Sequence, residues 1–299
     1  MTTFYYKFSP KGVIRVLGED AEDYLQSQWS INIRKLPIGG VRYGLRLSTK
    51  GKVLADSYFL RLQEEEFILI SKECDGEYIL TLLNENIVAD EVEFMNETQN
   101  WDFIGLWQKD KNPNFQAIPL EKPEKNQFFK IENGFFFEDS RAAPGTFSLL
   151  LPKQPPLEKL NKCSIETSSE YERLRIEADR ATIPYEIGPQ DLPQEGNLEK
   201  EGVDFDKGCY LGQEVMARIH AMGRVRRQAC SVYWPSHQLP QLPCPVFAAN
   251  KKVGELKSLV KTESDKAIGI ALIHEKGIKT LQEDGLSLEE FNEHKVFKL

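Results

Sequence analysis

At 299 residues, with 40% hydrophobic and 28% charged side chains, the chain is long enough for two or three domains and a substantial core. Its formal net charge of −8 argues against tight, sequence-independent binding of DNA or RNA, whose affinity rests on neutralising phosphates. No apolar run approaches the roughly 20 residues that span a membrane, and Met1-Thr2-Thr3-Phe4-Tyr5-Tyr6-Lys7 has the pattern of neither a signal nor a transit peptide, so a cytoplasmic protein without membrane association is expected.

The predicted elements begin with a β-branched strand over residues 13–18 and a helix from Ala21 that Asp20 is placed to cap. Val41 to Ser48 and Val53 to Leu62, joined by Thr49-Lys50-Gly51-Lys52, read as a hairpin. A strand at Phe67 to Ser71, a helix from about Cys74 to Asn86 and strands near residues 92–94 and 101–107 complete a β-α-β-β-α-β order, which fits a ferredoxin-like unit. Cys74, at the start of that helix, reads as a buried thiol rather than one activated by the helix dipole. Residues 109–127 are polar and interrupted by proline, as expected of a domain crossing; Phe128 to Phe137 reads as one buried aromatic strand, and residues 152–156 as a second connector.

Thr167 with Glu170, and Ser169 with Glu172, have capping-box spacing and open a helix that stops before Pro184. Beyond Pro245, residues 253–258 and 267–273 form short strand-like runs separated by polar turns.

Chemistry concentrates in Lys207-Gly208-Cys209-Tyr210-Leu211-Gly212-Gln213-Glu214. Glycines on both sides of Cys209 place its thiol on a loop, and the nearby Lys207 ammonium would favour the thiolate; Glu214 would oppose it at equal range. The five cysteines, Cys74, Cys163, Cys209, Cys230 and Cys244, are odd in number and contain no C-x-x-C pair, which indicates neither a disulfide framework nor a zinc ribbon, and no metal held by this chain alone. After the motif, Arg218 and His220 alternate with Ala217 and Ile219 in strand fashion; a cationic strip for an anionic tail or phosphate and a solvated edge are equally good readings.

The motif resembles the K-G-C-Y-x-G-Q-E sequence of the YgfZ-type folate-binding proteins, a branch of the glycine-cleavage T-protein superfamily associated with iron–sulfur cluster assembly or repair and with tRNA modification. Leu174-Arg175-Ile176-Glu177 and Leu192-Pro193-Gln194-Glu195 resemble further family motifs, and Ser30-Ile31-Asn32 stands where the superfamily has T-N-D. The resemblance implies an α+β fold of two ferredoxin-like or α+β domains and a small C-terminal β-barrel arranged as a ring, divided near 1–110 (partly interleaved with the second region), 111–227 and 228–299. It implies tetrahydrofolate or a one-carbon derivative as cofactor, with Glu195 accepting from the pterin edge and Asn32, Tyr210, Gln213 and Arg218 as further folate contacts, and with Cys209 and Lys207 as the reactive pair. The implied partners are iron–sulfur client or assembly proteins, with no DNA and no predicted direct tRNA contact. An aminomethyltransferase and a scaffold that has lost folate are the alternatives. Against the first, aligning Gly51 with the G-G-x-x-D-D turn of the transferases puts Ala55 at their first aspartate and Asp56 at the second.

Overall fold

The computed structural model describes residues 2–108, 122–131, 134–153, 160, 163–223, 225–262, 266–289, 291 and 294–299. Of the expected connectors, residues 109–121 and 154–156 therefore lie outside the described residues.

The chain runs β1 (Thr3–Phe8), β2 (Gly12–Leu17), α1 (Ala21–Gln28), β3 (Val41–Leu47), β4 (Val53–Gln63), β5 (Glu66–Ser71), α2 (Gly76–Asn84), β6 (Glu93–Asn96) and β7 (Trp101–Gln108). There follow β8 (Phe128–Ile131), β9 (Gly134–Glu138), β10 (Phe147–Pro152), β11 (Ser164–Ile165), α3 (Ser168–Glu177), α4 (Glu199–Gly202) and α5 (Gln213–Met222). The last part comprises β12 (Arg227–Trp234), β13 (Cys244–Ala248), β14 (Lys251–Lys261), β15 (Ala267–His274), α6 (Glu275–Glu283), β16 (Leu286–Ser287) and β17 (Lys295–Lys298).

Two open sheets and one closed barrel result. The first sheet has the order β3-β4-β5-β2-β6, in which β4-β5-β2-β6 is the ferredoxin-like arrangement and β3 an added edge. The second has the order β11-β1-β7-β10-β9-β8, so the first strand of the chain pairs with β7 and the two sheets are interleaved in sequence. The barrel closes as β12-β15-β14-β13-β16-β17.

Local signals explain much of this. Thr167 caps α3 by accepting from the Glu170 amide at 3.2 Å, and Asp75 caps α2 by accepting from Glu77 and Tyr78. Asp20 stands at the start of α1, yet its carboxylate accepts from the Glu91 amide at 2.7 Å instead of capping its own helix. The aromatic run over 128–137 forms two antiparallel strands, β8 and β9, instead of one. Its three consecutive phenylalanines are all core because both faces of the sheet are covered: Phe135 and Phe137 pack with Trp101 and Phe103, while Phe136 joins Phe147 and Leu149 on the other side.

The barrel is fastened to the body by polar contacts. Glu186, fully buried, accepts from Arg175 at 2.8 Å and from the Ser258 hydroxyl, and Asp179 accepts from Ser231 and Lys298.

Candidate functional site

Between the two sheets and α3 lies a cavity of about 360 Å3, walled by Tyr6 and Phe8 of β1, Asp56 of β4, the Lys72-Glu73 bend after β5, Tyr171 and Arg175 of α3, and Ile183. This is the size range of pockets that hold cofactor-sized ligands.

Asp56 reaches it because side chains alternate along a strand. Ala55 is fully buried in the core of the first sheet, whereas the Asp56 carboxylate on the other face accepts from Tyr43 at 2.9 Å, Ser71 at 3.1 Å and the Cys74 thiol at 3.3 Å. Ala55, which the alignment puts at the transferases' first aspartate, thus lies in the core, and Asp56, which it puts at their second, is the carboxylate that faces the cavity. Cys74 is buried, as expected, and burial pushes its thiol well above the usual range, which makes it a proton donor to Asp56 and not a nucleophile.

Beside it is a second buried network. Asp139 is enclosed and accepts from Lys72 at 2.5 Å, Tyr58 at 2.5 Å, Ser148 at 2.9 Å and Tyr171 at 3.0 Å. Burial alone would raise the Asp139 carboxyl, but the Lys72 ammonium and the hydroxyl donors more than reverse this and leave it below the usual carboxylate range. Lys72 sits among the rings of Tyr58, Phe103 and Tyr171, with centroids 5.5–5.8 Å away. Lys72, Glu73 and Cys74 are consecutive, and sequence reasoning missed them as a group; the available signal was three reactive side chains directly after the buried strand Phe67 to Ser71.

The octapeptide motif makes a different place. Cys209 is exposed on a loop, as its glycine neighbours predict, and the loop leads through Gly212, at φ +82°, into α5. Lys207 does not serve the thiol. Its ammonium is buried and donates to the carbonyls of Gln26 at 2.6 Å, Trp29 at 2.6 Å and Ile31 at 2.8 Å, around the end of α1. Burial lowers its pKa to about 7. The Gln26 carbonyl, in the last turn of α1, carries the negative end of the helix dipole, and the Trp29 and Ile31 carbonyls follow just beyond it, so three acceptors converge on the ammonium. Arg46, also buried, donates to the adjacent Gln28 carbonyl at 3.2 Å from the other side.

The remaining predicted residues are dispersed. The Tyr210 ring covers the Lys207 ammonium at 5.0 Å, and Gln213 donates to the Lys207 carbonyl at 3.3 Å, so both shape the motif loop. Burial pushes the Tyr210 phenol up to about 12. Asn32 caps a short turn by accepting from the Lys35 amide at 3.3 Å, and its own amide donates to Asp204 at 2.6 Å, so a carboxylate from the loop before the motif stands beside this turn. Glu195 is buried in an ion pair with Arg227 of β12 (both contacts 2.8 Å), and it also accepts from the Leu192 amide at 2.7 Å. Arg218 and His220 lie on a helix, not a strand. Two residues apart on α5 they cannot share a face; Met216 supplies the buried side, Arg218 is exposed, and His220 stacks on Phe205 at 3.9 Å. Glu195, Asn32, Tyr210, Gln213, Arg218 and Cys209 are all absent from the cavity wall.

The comparisons with known proteins agree with this architecture. The GCVT N-terminal domain family matches residues 6–107. The chain is 25% identical over 255 residues to the iron-sulfur cluster assembly factor IBA57 homolog, mitochondrial, of Yarrowia lipolytica, covering 73% of this chain and 52% of that protein, so it spans about half that relative's length. It is 26% identical over 235 residues to the tRNA-modifying protein YgfZ of Pectobacterium atrosepticum, covering 76% of this chain and 68% of that protein. The crystal structure of glycine cleavage system aminomethyltransferase T from Bartonella henselae superposes with a TM-score of 0.81 at 16% identity, over 99% of this chain and 84% of that one, a likeness of fold. With the cavity framed by two α+β sheets and a closed barrel behind them, the chain has the fold of the glycine-cleavage aminomethyltransferase T, its residues 6–107 match the GCVT N-terminal domain, and YgfZ and IBA57 proteins are among the proteins it resembles.

Proposed function

We propose that the chain is a folate-binding accessory protein for iron–sulfur enzymes, including tRNA-modifying ones, which holds tetrahydrofolate or a one-carbon derivative in the cavity between the sheets and presents Cys209 on a separate exposed loop. The observation that carries this reading is the cavity itself: about 360 Å3, with aromatic and aliphatic walls from Phe8, Tyr171 and Ile183 and an oriented carboxylate at Asp56. A planar heterocycle with N–H donors on its rim fits such walls, and Lys11 at the edge offers a charge for an anionic tail. Bound there, a tetrahydrofolate would supply a one-carbon unit or reducing equivalents; this chain's residues bind and orient it. The names of the Yarrowia and Pectobacterium relatives support the accessory role, and the exposure of Cys209 supports its use toward a partner protein.

Two measurements test the reading. Tetrahydrofolate is titrated calorimetrically into wild type and an Ile183→Trp variant that fills the cavity; binding confined to wild type is expected. Separately, a Pectobacterium strain lacking its own YgfZ protein is complemented with wild type or Cys209→Ser. Equal recovery of iron–sulfur enzyme activity by the two would remove Cys209 from the function.

Asp56 favours a second reading, folate-dependent aminomethyl transfer, because its carboxylate faces the cavity. Turnover from an aminomethylated lipoyl donor that is lost in Asp56→Asn would establish it.

A further inference from the structure

We propose that Glu73 is the ligand-reading carboxylate of the cavity, accepting from paired N–H donors on one edge of a planar amino-heterocycle. The proposal rests on the folate reading above, and the heterocycle is then the pterin head.

An ionised carboxylate offers about four acceptor positions on its two oxygens. Asp56 has little left to give: Oδ1 accepts from Ser71 and Cys74, and Oδ2 from Tyr43. Glu172 is turned to Arg175, whose Nε donates to its Oε2 at 3.1 Å. Glu73 lies on the same wall, half-buried, and its carboxylate has no hydrogen bond or ion pair among the described residues. It is thus the cavity carboxylate with both oxygens open. An isolated half-buried carboxylate is costly unless something donates to it.

The residue is also rigidly placed, as a recognition group must be. The bend that carries it is pinned on both sides: the Lys11 amide donates to the Lys72 carbonyl at 3.1 Å, the Cys74 amide to Ser71 Oγ at 3.0 Å, and the Gly76 amide to the Lys11 carbonyl at 2.9 Å. Its neighbours Lys72 and Cys74 are committed to Asp139 and Asp56. The charges facing Glu73 are mixed, Glu172 and Asp56 against Lys11 and Arg175; burial first, then Glu172, raises its carboxyl above the usual range. A donor edge at the cavity wall would reverse that cost.

The test is calorimetry on the full chain under reducing, anaerobic conditions with tetrahydrofolate, tetrahydropterin and 4-aminobenzoylglutamate, comparing wild type with Glu73→Gln. The variant keeps size and removes an unpaired charge, and its thermal midpoint is read in parallel to establish folding. Glu73→Gln is expected to weaken tetrahydrofolate and tetrahydropterin by about tenfold or more and to leave 4-aminobenzoylglutamate unchanged. Equal tetrahydrofolate binding by the two proteins overturns the role of Glu73 and leaves the folate reading standing, as does equal weakening of all three ligands. No binding of tetrahydrofolate or tetrahydropterin by wild type overturns the folate reading and this assignment with it.

Discussion

The ammonium of Lys207 donates to the carbonyl of Trp29 at 2.6 Å across 178 residues of sequence, and this contact, with those to Gln26 and Ile31, ties the cysteine loop to the end of α1. The carbonyls offset only part of the water lost on burial, so the folded pKa is lowered to about 7 from the ordinary 10.5. Between those values the unfolded chain binds the extra proton, and stability therefore rises with pH. Urea unfolding of wild type and Lys207→Met should show wild type gaining on the variant from pH 7 to 10, with a slope of up to about 1.4 kcal/mol per pH unit. A gap that narrows over that range would contradict the assignment.

Asp139 carries a dependence of the same sign, in an acid window. Its carboxyl is held below the ordinary 3.8, so the stabilisation it gives is complete above that value and is lost as the pH falls through the lower folded one. Asp139→Asn leaves Lys72 buried without its counter-charge and should destabilise by ~3 kcal/mol at pH 7, with the difference shrinking below about pH 4. Guanidinium melts at the two pH values decide it.

Thiol reactivity separates the cysteines. Cys209 is exposed, Cys74 and Cys230 are buried, and burial raises the thiols of Cys74 and Cys230. Ellman titration of native protein should show one fast thiol, absent in Cys209→Ser, while Cys74 and Cys230 react only after denaturation. A fast phase that survives in Cys209→Ser would mean another thiol is accessible.

The Glu195–Arg227 pair joins the turn at Pro193–Gly196 to the first strand of the barrel. Arg227 is partly exposed, which screens the interaction, so Glu195→Gln should cost only about 1–2 kcal/mol of stability. Tetrahydrofolate affinity should be unchanged. A large loss of affinity without loss of stability would return Glu195 to the ligand.

What the sequence determined by itself is local. Alternation and glycine turns gave the hairpin of β3 and β4, the capping boxes gave the start of α3, and the glycines around Cys209 put its thiol on an exposed loop, because each depends on backbone preferences within a few residues. The octapeptide likewise carried the resemblance to the YgfZ-type proteins, which the Pectobacterium relative bears out. Only the tertiary structure decided where the charges go. Lys207 turned from its sequence neighbour Cys209 to carbonyls at and just beyond the end of α1, and Glu195 found Arg227 on the barrel. One strand register separates Ala55 in the core from Asp56 in the cavity, and the cavity draws its wall from β1, β4, the bend after β5 and α3. A buried ion seeks the strongest compensating group in space, and which group that is depends on contacts between segments far apart in the chain.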